Sequence, residues 1–167
     1  KKKIFISGAA GFIGSVLVRG LYKLNYKIFA LDYKIKTKYT KIQEKNSSII
    51  TINNDLLKFD KHRLLKNIDY FIHAAALTNP NKKNDLKKLF KINLSLVYSA
   101  LRLAKKIKVK KFIFISSTAV YGFNEKILIN DENTKPILTS EYAISKICCE
   151  NLIKHFCKLN KINFIII

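Results

Sequence analysis

Two short stretches of this 167-residue sequence carry residue types and spacings that could do chemistry. The first is Gly8-Ala9-Ala10-Gly11-Phe12-Ile13-Gly14, three glycines at intervals of three, between a short apolar run and a helix-like stretch. Glycine lets the chain turn sharply and its backbone approach a ligand, and the unpaired N–H groups and dipole at a helix start favour an anion such as a pyrophosphate. A glycine-rich turn also serves plain strand-to-helix packing, so its context decides between the two. The second is Tyr142-Ala143-Ile144-Ser145-Lys146, which on a helix puts a phenol and an ammonium on one face, one turn apart. Chance supplies about one such pair in a chain this rich in Tyr and Lys, so the spacing alone carries little. Asp32 directly follows an apolar run, where a carboxylate can accept hydrogen bonds from the hydroxyls of an adenosine ribose.

These residues need a frame, and the hydrophobic periodicity supplies one. Residues 4–7 read as a strand, and Phe12, Ile13, Val16, Leu17, Leu21 and Leu24 recur at helical spacing after it. Further strands are expected at 27–31, 49–52 and 70–73. A long helix follows, with a face of Leu86, Leu89, Phe90, Leu96, Val97, Ala100, Leu101 and Ala104, and the positive charge over 105–111 suits its C-terminus. Residues 112–116 form a continuous apolar strand of the kind expected when both sheet faces are covered. A loop region over 121–136, a helix over 139–159 and a last strand over 163–167 complete the order. Strands alternating with helices call for an α/β fold with a doubly wound parallel sheet, the Rossmann dinucleotide-binding architecture, as a single domain over 1–167.

Composition narrows the function classes. The apolar runs are far shorter than the roughly 20 residues a membrane span needs, so no membrane partner is expected. The N-terminal lysines lead straight into a strand without the apolar stretch of a secretory signal, which points to the cytoplasm. Cys148, Cys149 and Cys157 make neither a CxxC pair nor a metal-ligand spacing with the histidines, so they read as free thiols and no metal is expected. A formal charge of +21 raises nucleic acid as a partner. All but three of the 32 basic residues, Arg19, Arg63 and Arg102, are Lys, however, and they are scattered, which fits solvated faces better than a phosphate-reading patch.

The GxxGxxG spacing resembles the extended branch of the short-chain dehydrogenase/reductase family, the NAD-dependent epimerases and dehydratases of nucleoside-diphosphate sugars. Other segments resemble that family in order: Asp55-Leu56, an acidic-apolar pair that contacts adenine; His73-Ala74-Ala75-Ala76, similar to an HxAA segment whose small residues let the cofactor lie against the backbone; and Asn93 on the long helix, which ties neighbouring strands and the cofactor-site backbone together. His73 itself is expected to be structural. Ser116-Ser117-Thr118-Ala119-Val120-Tyr121-Gly122 resembles an SSxxVYG segment and precedes the Tyr-x-x-x-Lys pair. The resemblance covers essentially the whole chain.

The resemblance implies the catalytic set Ser117, Tyr142 and Lys146, with Ser117, Thr118 and Tyr142 facing substrate. The cofactor residues it implies are Gly8, Gly11, Phe12, Ile13, Gly14, Asp32, Tyr33, Asp55, Leu56, Ala74, Ala75, Ala76, Asn93, Tyr142 and Lys146. A phenol with a reference pKa of roughly 10 must act as base near neutrality, so it needs cations beside it, and Lys146 is one. NAD is the expected cofactor, because a 2′-phosphate would meet the Asp32 charge, although Lys34 and Lys36 keep NADP open. Dehydratases of the family carry an Asp-Glu pair after the catalytic Thr, where this chain has Thr118-Ala119, so a nucleoside-diphosphate-sugar 4-epimerase is favoured and a reductase comes second. A non-catalytic relative that senses NAD(P) or binds a macromolecule is the alternative of another class. The resemblance also implies a homodimer through two helices per subunit and a substrate-binding region beyond residue 167.

Overall fold

In the computed structural model, residues 1–33, 47–60, 62–78, 86–122, 131, 133–137 and 139–167 are described. Six apolar runs become six strands: β1 (Lys3–Ser7), β2 (Lys27–Asp32), β3 (Ile49–Asn53), β4 (Tyr70–His73), β5 (Lys111–Phe114) and β6 (Asn163–Ile166). They pair in parallel in the order β3-β2-β1-β4-β5-β6, which reverses direction between β1 and β4. In such sheets ligands bind beyond the strand C-termini at that reversal. The register sets Ser7 beside both Leu31 and His73, so the ends of β1, β2 and β4 are level there.

Among the described residues, three helices cover the two faces. α1 (Phe12–Lys23) packs Val18, with Leu17 and Leu21, on Ile4, Ile6, Ile28 and Ala30. On the opposite face α2 (Leu86–Lys106) and α3 (Glu141–Leu159) pack Val97, Ala100, Leu101, Cys149 and Ile153 on Phe5, Phe71, Phe112 and Phe114. The alternation of period two along each strand sends its residues to opposite layers, giving the doubly wound arrangement that the sequence implies. Phe71 is the hinge of an edge-to-face stack, with Phe5 at 4.7 Å and Phe112 at 5.3 Å between ring centroids. Cys149 and Cys157 are buried free thiols and Cys148 is half-buried.

The buried face of α1 differs from the one periodicity suggests. Phe12 is 88 % exposed and Leu24 70 %, and Ile13 and Val16 also face outward, while Gly14, Ser15 and Val18 go down. The glycine turn decides this: a Cβ on Gly14 would overlap the Gly8 carbonyl, so Gly14 must be the contact point and Val18 and Leu21 follow on the same stripe. The expected α2 face holds for Leu89, Val97, Ala100, Leu101 and Ala104, while Phe90 and Leu96 are half-buried. β5 ends at Phe114, two residues early, and its Ile113 is half-buried between the buried Phe112 and Phe114. α3 starts at Glu141 because Ser140 caps it, its Oγ accepting from Ala143 N at 3.1 Å. Among the described residues no helix is long and apolar enough to cross a membrane, and no group of three or more potential ligands could hold a metal ion.

Candidate active site

The turn between β1 and α1 is tied to the end of β2. Gly8 N and Ala9 N both donate to the Leu31 carbonyl, at 3.0 and 3.1 Å, and Gly8 holds φ +76°, a conformation natural to glycine. A side chain on Gly8 would strike the backbone of Ala74 and Ala75, so β1 and β4 lie this close only with glycine there. The first bond of α1 runs from Ser15 N to Gly11 O at 2.9 Å, which leaves the N–H groups of Phe12, Ile13 and Gly14 without a partner inside the helix. The cap residue Gly11 brings no capping side chain and the first turn no acid, so the positive end of α1 is open to an anion.

Beyond the strand ends lies a cleft of about 580 Å³. Of the expected cofactor residues, Gly8, Gly11, Asp32, Tyr33, Asp55, Leu56, Ala74, Ala75 and Ala76 line it. The Asp32 carboxylate is half-buried at its rim and braces the glycine turn by accepting from Ala10 N at 3.0 Å. Asp55 caps a short 3-10 turn, Leu56–Lys58, by accepting from Leu57 N at 2.9 Å, which turns Leu56 toward the core. Phe12, Ile13, Gly14, Asn93, Tyr142 and Lys146 do not line the cleft. Lys34 and Lys36 lie outside the described residues. Asn54, Leu57, Leu77, Ile92 and Leu96 also line it and were not anticipated as site residues. Asn54 and Leu77 adjoin recognised motif positions, and that adjacency was the available signal. Ile92 carried none.

Asn93, nearly fully buried, acts as a clamp rather than as a cleft wall. Its amide receives Leu77 N at 2.8 Å, donates to Leu77 O at 3.1 Å and donates to Ser145 Oγ at 3.2 Å. It therefore joins the cleft-lining segment after β4 to α3, where the expected link was between neighbouring strands and the cofactor-site backbone. Ser145 sits between Tyr142 and Lys146, so this clamp also couples the cleft to the second cluster.

That cluster gathers Ser117, Tyr142 and Lys146 over the end of β5. Ser117 Oγ accepts from Ala119 N at 3.2 Å, capping the 3-10 turn Thr118–Tyr121, and lies near enough to the half-buried Tyr142 hydroxyl to lower its pKa. Burial pushes the Tyr142 phenol above its ordinary range, and the Ser117 hydroxyl opposes that. Lys146, only 3 % exposed, donates to the Ile115 carbonyl at 2.7 Å and sits 4.2 Å from the centre of the Phe114 ring. Burial lowers its pKa from 10.5 to about 8, against the raising influence of Cys149 and Glu150. The expected depression of the Tyr142 pKa is thus not built into the chain alone: the ammonium is turned to Ile115, 6.0 Å from the centre of the Tyr142 ring. Thr118 is exposed beside Ser117. His73 is fully buried, its Nδ1 2.7 Å from Ser7 Oγ and its Nε2 without a hydrogen-bond partner; burial, and secondly the Lys146 charge, lower its pKa to about 3. This neutral imidazole in the core fits the structural role expected of it.

A model of the NAD dependent epimerase/dehydratase family matches residues 4–167. The chain is 33% identical to a dTDP-D-glucose 4,6-dehydratase of Dictyostelium discoideum, over 99% of this chain and 42% of that protein. Among solved structures it superposes on the UDP-glucuronic acid 4-epimerase of Bacillus cereus in complex with UDP-glucuronic acid and NAD, with a TM-score of 0.85 and 33% identity over 98% of this chain and 55% of that one. It is also similar to the UDP-N-acetylglucosamine 4-epimerase of Methanobrevibacter ruminantium, with a TM-score of 0.84 and 28% identity over 99% of this chain and 54% of that one. The chain spans about half the length of the curated relatives it matches. The chain belongs to the NAD dependent epimerase/dehydratase family, whose model spans the glycine turn, the six strands and the Tyr142–Lys146 pair.

Proposed function

We propose that residues 1–167 form the NAD-binding domain of a cytoplasmic enzyme that acts on a nucleoside-diphosphate sugar, and that the activity is a 4-epimerisation. The observation that carries this is the grouping of Ser117 with Tyr142, with Lys146 buried on the same helix face, clamped through Asn93 to a cleft that begins at a bare helix N-terminus. The side-chain-free cradle fits a dinucleotide. Gly8 and Gly14 occupy positions where a Cβ would collide with backbone, as close approach of a diphosphate to the Phe12, Ile13 and Gly14 amides requires. Asp32 and Tyr33 would hold the adenosine ribose, Asp55 and Leu56 the adenine side, and Ala74, Ala75 and Ala76 the middle of the cofactor. The Asp32 charge favours NAD over NADP.

NAD, when bound, supplies the hydride acceptor. Tyr142 takes the proton of a sugar hydroxyl, and Ser117 hydrogen-bonds the same oxygen, so both groups must reach one atom, and Ser117 already lies near enough to Tyr142 to lower its pKa. The Lys146 cation stabilises the phenolate once it leaves the Ile115 carbonyl and faces the cofactor side of Tyr142. Epimerisation is favoured over dehydration because Ala119 follows Thr118, leaving no acid at that position to expel water. A second copy of the chain docked on α2 and α3 belongs to the same reading, as does the absence of a role for nucleic acid or membrane.

Calorimetric titration with NAD and NADP tests the cofactor step, with Asp32→Ala as the control, and UDP-sugar turnover by the intact protein tests the chemistry, with Tyr142→Phe. NAD affinity should fall at least about tenfold in Asp32→Ala, and turnover should fall by about 10²–10⁴-fold in Tyr142→Phe with NAD affinity retained. A folded protein that binds neither cofactor would overturn the enzyme reading in favour of a silent relative.

A further inference from the structure

Three side chains at one-turn intervals along α3 face three consecutive residues beyond β5, and two of them are bonded there. Tyr142 lies near enough to Ser117 for that hydroxyl to lower its pKa, Lys146 Nζ donates to Ile115 O at 2.7 Å, and Ser116 Oγ donates to Glu150 Oε1 at 2.5 Å. The Glu150 carboxylate is largely shielded, with 13% of its side chain exposed, and its other oxygen lies 3.7 Å from Lys154 Nζ. An O–H···O⁻ bond this short belongs to the charge-assisted class, roughly twice as strong as neutral ones. Ser116 is held from its other side by donation of its N–H to Ile167 O at 2.6 Å. Glu150 belongs neither to the cleft nor to the proton-transfer set.

We infer that Glu150 is a positioning residue: by fixing Ser116 to the helix face that carries Tyr142, its carboxylate sets the distance between Ser117 and Tyr142. This rests on reading those two as the proton-transfer pair. The physical reason lies in the division of labour along the stripe. Lys146 also ties this segment to α3, but its ammonium has to turn away from Ile115 to serve the reaction, and that grip is then lost. Glu150 touches nothing that reacts, so its grip persists through that change. A misplacement of about 1 Å in a reacting group can cost on the order of 10²-fold in rate. The Glu150 charge has a second, separable effect, because it raises the Lys146 pKa.

NMR titration of the Tyr142 and Lys146 side chains in the intact protein, beside NAD calorimetry and UDP-glucose kinetics, separates the two effects. Tyr142 is faced by Ser117 and Cys149, and Lys146 by Cys149, Glu150, His73 and the Phe114 ring. Ser116→Ala and Glu150→Ala should each move the Tyr142 midpoint further up, because the Ser117 hydroxyl, whose influence opposes burial, is less firmly placed against the phenol. They should lower kcat about tenfold while KM and NAD affinity stay within about twofold. The double variant should be no worse than the worse single, since one link is broken twice. Glu150→Gln keeps an acceptor for Ser116, so it should restore the Tyr142 midpoint and kcat while the Lys146 midpoint falls with the lost charge. An unmoved Tyr142 midpoint in Ser116→Ala, or a Glu150→Gln protein that behaves like Glu150→Ala, would overturn the inference. Should Glu150→Ala fail to fold, Ser116→Ala, which removes one oxygen, carries the same test. If the wild type neither binds NAD nor converts UDP-glucose, the functional reading fails, and the Tyr142 titration still decides the role of Glu150.

Discussion

Lys146 shows how a single residue can be costly to the fold and still be kept. Its ammonium is buried with a pKa of about 8, against 10.5 for the free side chain. Between those two values the unfolded chain binds a proton that the folded chain has released, so stability rises with pH through that window. Below about pH 8 both states are charged, and the fold carries the whole penalty, about 3 kcal/mol by that linkage before the Ile115 bond offsets part of it. Lys146→Met should therefore raise stability at pH 7 by about 1–3 kcal/mol, with the gap to wild type closing as pH rises from about 8 to 10.5. Paired urea midpoints across that range measure it. A less stable Lys146→Met at pH 7 would mean that the bond to Ile115 outweighs desolvation. Ser117, Tyr142 and Lys146 were legible because their order and spacing survive in one dimension. Glu150 was not, since nothing in the sequence says that the eighth residue after Tyr142 meets Ser116.

At the level of elements, the β1–α1 turn explains why one substitution has opposite signs at two places six residues apart on one helix. Gly14 rests on the Gly8 carbonyl, and any Cβ there must push backbone against backbone, which cannot give cheaply. Gly20 lies on the exposed side of the same helix with nothing within 4 Å of a Cβ. Gly20→Ala should stabilise the protein by about 0.5–1 kcal/mol, because alanine restricts the unfolded chain and favours helix. Gly14→Ala should lower the thermal midpoint and abolish NAD binding together, since the displaced turn is the same one proposed to receive the diphosphate. Thermal melts with and without NAD distinguish the two variants, and a Gly14→Ala protein with the wild-type midpoint would contradict the packing argument. This turn is also where periodicity misled: counting apolar residues turned Phe12 and Val16 inward, whereas the contact between glycines fixes the helix's rotation about its axis. Strand existence and order suffered no such conflict, because each run buries apolar residues on a sheet whatever its exact ends.

The whole molecule carries +21 formal charges, and their placement bears on stability as well as on partners. Acidic residues number only 11, and among the described residues the ion pairs are few: Lys110 with Asp69 at 2.7 Å and Lys154 with Glu150 at 3.7 Å. Lysines such as Lys23, Lys105, Lys106 and Lys158 sit in the last turns of the helices, where each is favoured by the helix dipole. That local gain does not cancel the mutual repulsion of a surplus this large, which compactness makes worse. Repulsion between exposed charges is screened within about 10 Å at an ionic strength of about 0.1 M, whereas the apolar layers on either side of the sheet are not weakened by such salt. Raising NaCl from about 20 mM to about 300 mM should therefore raise the thermal midpoint, in contrast to a protein held together by surface ion pairs, which would lose stability over the same range. The same titration addresses partners. Polynucleotide retained at low salt and released steeply as salt rises would be the sequence-independent attraction of any lysine-rich surface, while stabilisation by NAD, which grows with ligand concentration relative to its dissociation constant, should persist across the series. A midpoint that falls with salt would show that attractive pairs, not repulsion, dominate this surface.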